Sequence, residues 1–466
     1  MRGAKPRRGS LLYKSRLMTL SFLLAFGAFA AGPFDNAVLH GETDKARATE
    51  YVVGEPIVFR LSFQGAQPFE KGTYSVVWKR TGDDGVVEQQ KVDAADFPIE
   101  VKTKMDKPGF VRLEAYLKDK NGKNYMKSFT GDATTPEGRE AMNRFEKTNK
   151  AVFFDGGAGV EIGKLRQAKP EPADFDAYQA ELAKRLAAVP ITAELKPIPF
   201  KNPKVKAYAV RIACAGPRPV TGYLYVPAAV DEGKKFPARL ETHGYSYSPP
   251  HQPAFWYNEY EIALNINAHG MDLPAFGATK EYYDKLGEEI RSNGQIYAFD
   301  PIQNANRDEA YFCQMLLRVK RALQYLKSLP GWDGKTLKAV GGSQGGLQTI
   351  WAAGCGEGVT AAESSITWCC DLGGETIGRN RGGWYIRWAD GLGYYDPVNF
   401  ARRIPKTCRT TIPRAGLGDY TCPPSGLAIL YNNMTCPKKI VWEQGSQHGF
   451  VPSEPHQKFF DEANAN

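Results

Sequence analysis

At 466 residues, 42% hydrophobic, 24% charged and 12% aromatic, the chain has the composition of a folded globular protein and is too long for one ordinary core. Its formal charge of +9 resembles that of a nucleic-acid or membrane-surface binder. Six of those nine charges (Arg2, Lys5, Arg7, Arg8, Lys14, Arg16) fall within residues 1–30, where no acid opposes them, and the +3 left for the rest is too small for a basic nucleic-acid-binding face.

Residues 1–30 account for their own charge. A basic segment precedes the apolar run "LSFLLAFGAFA", Leu20–Ala30, which ends in an A-x-A cleavage pattern. That run is well short of the ~20 residues needed to cross a bilayer. No cysteine stands at the cleavage point, which argues against a lipid anchor. The reading is a cleaved signal peptide over 1–30, possession of which places the mature chain in the periplasm or outside the cell, with no membrane span. An uncleaved N-terminal anchor or a buried helix is the alternative.

Next in order, "EPIVFRLSF" (Glu55–Phe63), "TYSVVWKR" (Thr73–Arg80) and "FVRLEAYLKD" (Phe110–Asp119) alternate apolar and polar residues and are punctuated by the turn signals "GDDG" and "KNGK". They predict a small all-β sandwich-like domain over 48–130, either a carbohydrate-docking module or a structural cap. No sugar-stacking platform stands out in it, which favours the cap. Residues 131–170 are mixed and polar and read as a linker, and Phe175–Val189 has helical spacing.

From 171 to 466 strand and helix signals alternate. A hairpin is expected over 206–227, apolar runs ending in glycine at 236–244 and 261–270, and a helix over Asn306–Leu329. A strand at Leu337–Gly341 then leads into a helix, and "SSITWC", "RTTIPRAG" and "KKIVWEQG" read as further strands. Such alternation predicts an α/β domain, a mostly parallel sheet with helices on both faces. In these sheets chemistry gathers at the carboxyl ends of the strands.

Eight cysteines, Cys214, Cys313, Cys355, Cys369, Cys370, Cys408, Cys422 and Cys436, all lie in the second half and match no zinc-binding spacing. Export permits disulfides, and Cys422–Cys436 is the pair to test first. Buried free thiols are the simpler expectation.

One stretch concentrates the chemistry. "VGGSQGG", Val340–Gly346, sits between a predicted strand and a predicted helix and contains G-x-S-x-G, the nucleophile elbow of an α/β-hydrolase fold. A phosphate-binding loop would need a Lys-Ser/Thr ending that is absent here. A serine hydroxyl becomes a nucleophile only when a histidine takes its proton and a carboxylate holds that histidine. The expected chain order is Ser, acid, His. After Ser343 only His448 and His456 remain. His448 follows the strand "KKIVW" and is the candidate base, whereas His456, in "SEPHQKF", reads as a solvated surface residue. Asp419 in "GLGD" follows a strand and is the candidate acid. Asp396 precedes Pro397 and suits a helix cap better. The oxyanion requires two donors, for which the backbone amides of Gln344 and Tyr245 are the candidates, with His243 as a residue that orients their loop. The chemistry calls for no metal and no organic cofactor.

Over roughly 200–460 the chain resembles the acetyl xylan esterase and cephalosporin C deacetylase family, carbohydrate esterase family seven. The resemblance is carried by "GGSQGG", "YYDPVNFARRI" and "GLGDYTCPPS…YNNMTCPKKIVWEQGSQHGF", and by "HGY" at His243–Tyr245. It implies a serine esterase that deacetylates xylan-derived or related carbohydrates through Ser343, His448 and Asp419. Family members often form ring-shaped hexamers, which implies a homo-oligomer. Two motifs depart from the family pattern: "NAHGM" (Asn267–Met271) replaces its Arg-Gly-Gln, and His448-Gly449 replaces its His-Glu. A prolyl-oligopeptidase-type peptidase, an esterase for uronate or other acyl groups, and a non-catalytic carbohydrate-binding protein on an esterase scaffold are the competing readings.

Overall fold

The computed structural model describes residues 32–146, 149–247, 257–453 and 456–465; the export signal expected over 1–30 lies outside the described residues. Period-two alternation in the first part gives β1 (Val38–Thr43), β2 (Ile57–Gln64), β3 (Ser75–Gly82), β4 (Glu88–Asp93), β5 (Ile99–Thr103) and β6 (Gly109–Lys118). A seventh strand, β7 (Phe153–Val160), completes two antiparallel sheets ordered β1-β2-β5 and β4-β3-β6-β7. Phe59 and Leu61 from one sheet and Val76, Leu113 and Phe154 from the other meet in a single apolar cluster. Each such side chain contributes about 1.5–3 kcal/mol when fully buried.

Residues 131–170 are therefore more than the linker expected of them. They hold α1 (Pro136–Glu146), none of whose residues is buried, and then β7, every residue of which is. β7 pairs with β6 from Phe153↔Tyr116 to Val160↔Gly109.

The second part is built on a ten-stranded sheet. Its strands are β8 (Ala193–Ile198), β9 (Val205–Ile212), β10 (Val220–Pro227), β11 (Phe236–Thr242), β12 (Ile262–Ile266), β13 (Trp332–Gly342), β14 (Ala361–Ser365), β15 (Arg409–Gly416), β16 (Lys438–Glu443) and β17 (Lys458–Ala463). Their order is β17-β16-β15-β14-β13-β11-β12-β10-β9-β8. The central run from β12 to β16 is parallel, and antiparallel pairs flank it on both sides. Successive residues of β10 and β12 point into two different apolar clusters, Leu224, Ile262 and Leu264 into one and Tyr223, Tyr225 and Ala263 into the other, so both faces are covered. The helices are α2 (Phe175–Ala187), α3 (Lys280–Glu289), α4 (Pro301–Ala305), α5 (Tyr311–Ser328), α6 (Gln344–Gly354), α7 (Pro397–Ala401) and α8 (Pro424–Asn433). No helix among the described residues is long and apolar enough to cross a membrane.

Two local expectations shift. α5 begins at Tyr311 rather than Asn306, because the Asn306 side chain accepts from Asp308 N and closes a turn instead. β14 ends at Ser365, so "ITWC" leaves the sheet: Ile366 and Cys369 have positive φ, and Trp368 N turns back to bond Ser343 O at 3.1 Å.

All eight cysteines are free. Cys422 and Cys436 form no bridge; the Cys436 thiol donates to Thr410 Oγ1 at 3.5 Å, within reach of Cys408.

The sandwich is docked against the large sheet. Phe110 lies on Trp442, and the Gln444 side chain pairs with the Gly157 backbone like an added strand, accepting from its N–H at 2.9 Å and donating to its carbonyl at 2.6 Å. His456 belongs to this contact and is not the solvated surface residue expected. Its ring stacks on Phe154, its Nδ1 accepts from Gly41 N, and only 9% of the residue is exposed. The polar residues around it in sequence concealed that burial. Burial and the neighbouring His40 lower its pKa to about 4. In the unfolded chain it titrates near 6.5, so between these values the unfolded state binds the extra proton and stability falls with falling pH. His456→Gln keeps an acceptor for Gly41 N. It is expected to remove roughly 2 kcal/mol of the stability that the parent loses between pH 7 and pH 5, as read by urea unfolding.

Candidate active site

β13 lies between β11 and β14, and at its carboxyl end the chain turns sharply into α6. Ser343 makes the turn with φ +57° and ψ −120°, a conformation that costs about 1–3 kcal/mol and persists only where its surroundings enforce it. Those surroundings are named bonds: Ser343 N donates to Ser365 O at 3.0 Å, and Ser343 O accepts from Leu347 N and Trp368 N. The flanking glycines are required by close approach. A Cβ on Gly345 would stand 2.4 Å from Thr242 O, and one on Gly341 would stand 2.5 Å from Thr242 Oγ1.

Asp419 lies just beyond β15 and His448 just beyond β16, so the three residues share the same edge of the parallel sheet. His448 Nδ1 is 2.9 Å from Asp419 Oδ2. Asp419 is fully buried, and its Oδ1 accepts from the Thr421 and Cys422 amides at 3.0 and 2.9 Å. A carboxylate oxygen in such a contact accepts and does not donate. It therefore fixes the proton on Nδ1 and leaves the Nε2 lone pair for a reacting hydroxyl. The Ser343 hydroxyl makes no hydrogen bond among the described residues, to His448 or to any other group. Cys422 Sγ lies within 4.8 Å of the Asp419 and His448 ligand atoms, and burial pushes its thiol far up, so it stays protonated.

The amides of Tyr245 and Gln344 donate to no acceptor among the described residues, as an oxyanion site requires. Tyr297 joins the two segments that carry them. Its hydroxyl donates to Gln344 Oε1 at 3.0 Å and accepts from Ser246 N at 3.2 Å, while its ring stacks on Tyr245 at 4.0 Å. No motif around Tyr297 marked it. His269, within the stretch that departs from the family pattern, supports the same loop. Its Nε2 is 2.7 Å from Ser246 O and its Nδ1 2.7 Å from the Tyr311 hydroxyl. A carbonyl only accepts, so Nε2 carries the hydrogen and Nδ1 receives one from Tyr311. Burial lowers the His269 pKa to about 4 and keeps it neutral.

His243 turns away from this centre, its Nε2 2.5 Å from Asn265 Oδ1. Asp396 caps α7 through Val398 N and also accepts from Leu372 N and Asp371 N. Burial and the adjacent Asp371 push its carboxyl up to about 7.

The sandwich reaches the same centre. Asp155 on β7 is fully buried and forms a two-pronged pair with Arg112, at 2.9 and 2.7 Å, and its Oδ2 also accepts from Gln447 Nε2 at 2.5 Å. Gln447 immediately precedes His448. Burial pushes the Asp155 carboxyl up to about 6 while Arg112 pulls against it, leaving it ionised at neutral pH. Nothing local in "FFDGGAGV" signalled this role.

The chain matches the acetyl xylan esterase (AXE1) family over residues 160–374 and 387–462. It is 28% identical over 301 residues to acetyl esterase Axe7A of Xylanibacter ruminicola, a stretch that covers 61% of this chain and 65% of that protein, so the chain spans less than two thirds of its relative's length. Two solved structures share the fold: an acetyl xylan esterase from Paenibacillus sp. R4 (22% identity, TM-score 0.52) and acetyl xylan esterase 1 from Thermoanaerobacterium sp. JW/SL YS485 (18%, TM-score 0.50). Each covers 63% of this chain and is itself covered over 94% of its length.

Proposed function

The chain belongs to the acetyl xylan esterase family, and on that premise we propose that it is an exported serine esterase removing acetyl groups from xylan-derived or related carbohydrates. The observation that carries the reading is the Asp419–His448 pair, with its proton fixed on Nδ1, on the sheet edge where Ser343 sits on a strained turn.

In the proposed reaction His448 Nε2 takes the Ser343 proton as Oγ attacks the acetyl carbonyl. The negative charge that develops on the carbonyl oxygen is received by the Gln344 and Tyr245 amides, where loss of one such donor typically costs about 3 kcal/mol of barrier. The imidazolium, balanced by Asp419, returns the proton to the departing sugar oxygen and leaves an acetyl-serine. Water, deprotonated by His448, then releases acetate and restores Ser343.

The reading is tested by acetate release from acetylated xylan, mannan, pectin and simple acetylated sugars, beside butyryl esters and aminoacyl-proline amides. Turnover of acetylated carbohydrates well above the amides and butyryl esters is expected. Preferential cleavage of the amides would make the protein a peptidase. Sugar binding with no acetate release from any ester would make it a binding protein on an esterase scaffold.

A further inference from the structure

The family match leaves out residues 375–386, "ETIGRNRGGWYI". This segment is firmly held. Asn380 N donates to Asp83 Oδ1 at 2.8 Å and its side-chain amide to Thr81 Oγ1 at 2.9 Å, both on the sandwich side. Gly382 N donates to Tyr420 O, next to the candidate acid, at 2.7 Å. Arg379 pairs with Asp371 and Arg381 with Glu375.

What this frame presents is Trp384. The indole packs edgewise against Tyr245 at 5.1 Å and against Phe299 at 4.8 Å, yet 39% of the residue remains exposed. Its N–H has no partner among the described residues. Tyr245 is the residue whose amide is the candidate oxyanion donor, so Trp384 packs on the side chain of a residue of the candidate site.

An indole held at a fixed position with part of its surface open offers a ligand both an apolar face and an N–H donor. We propose that Trp384 is the platform on which the sugar ring of the acetyl ester stacks. A pyranose offers an apolar C–H face to the indole and hydroxyls to its N–H and to the surrounding polar groups. Arg379 and Arg381 are already paired, so these two charges serve to hold the frame. This assignment rests on the carbohydrate reading above and adds the residue that selects the alcohol half of the ester.

The test compares kcat/KM for acetylated xylobiose with that for methyl acetate, whose alcohol is too small to stack. Trp384→Ala is expected to lower the ratio of the two about tenfold, mainly through KM for the sugar ester, and Trp384→Phe to restore most of it. An unchanged ratio in Trp384→Ala, in a protein whose parent deacetylates xylobiose, overturns the platform alone. A parent that hydrolyses methyl acetate but no acetylated sugar overturns the carbohydrate reading and the platform with it.

Discussion

Ser343→Ala is expected to reduce kcat for acetate release by roughly four to six orders of magnitude, because nucleophile and base act as one unit and removing either forfeits nearly the whole gain. The fold should survive. The Ser343 hydroxyl makes no hydrogen bond among the described residues, and the turn is held by its backbone amide, its carbonyl and the close-packed glycines beside it. Unfolding midpoints for parent and variant should therefore agree closely while activity on methyl acetate and on acetylated sugars disappears together. Retention of about a tenth of the activity, far above the residue left in comparable triad variants, would place the nucleophile elsewhere.

The second large effect concerns stability and arises outside the family-matched region. Asp155→Ala takes from the Arg112 guanidinium, whose side chain is only 16% exposed, its two-pronged buried partner and leaves it the partly exposed Glu114 at 3.0 Å. Breaking one half of a buried pair typically costs about 3–5 kcal/mol, a large fraction of the roughly 5–15 kcal/mol by which proteins are stable. Denaturant unfolding should show that loss. Because Asp155 also holds Gln447, the residue before His448, kcat should fall more than KM rises. The double replacement Asp155→Leu with Arg112→Met removes both buried charges together, leaves only the partly exposed Glu114 unpaired, and should recover much of the stability, but it cannot restore the bond to Gln447 and so should not recover kcat. Parallel recovery of both would show that the pair acts on the site only through overall stability.

Much of the candidate active edge was legible because its signals are local. A glycine-flanked serine between strand and helix, an aspartate and a histidine each just past a strand, and the order of the three are all visible in short windows. The parts that escaped are held by residues distant in sequence. Tyr297 and His269 support the candidate oxyanion loop from neighbouring segments, and neither sits in a pattern that names its partner. β7 was hidden by its own composition. Its glycines read as loop punctuation, whereas Gly157 is there because a Cβ would stand 2.4 Å from Val111 O and 3.0 Å from Leu417 O. The polar surroundings of His456 misled in the opposite direction, since domain docking buries it regardless of its sequence neighbours.

The position of β7 in the chain has a consequence for assembly. The ribosome releases residues up to 160 long before the turn carrying Asp419 and the loop carrying His448, and amino-terminal units generally fold first during synthesis. The last candidate catalytic segments to emerge thus close onto a surface that is already built, with Asp155 in place to receive Gln447 and Gly157 to receive Gln444. The sandwich serves as a mould for the half of the site that is made last.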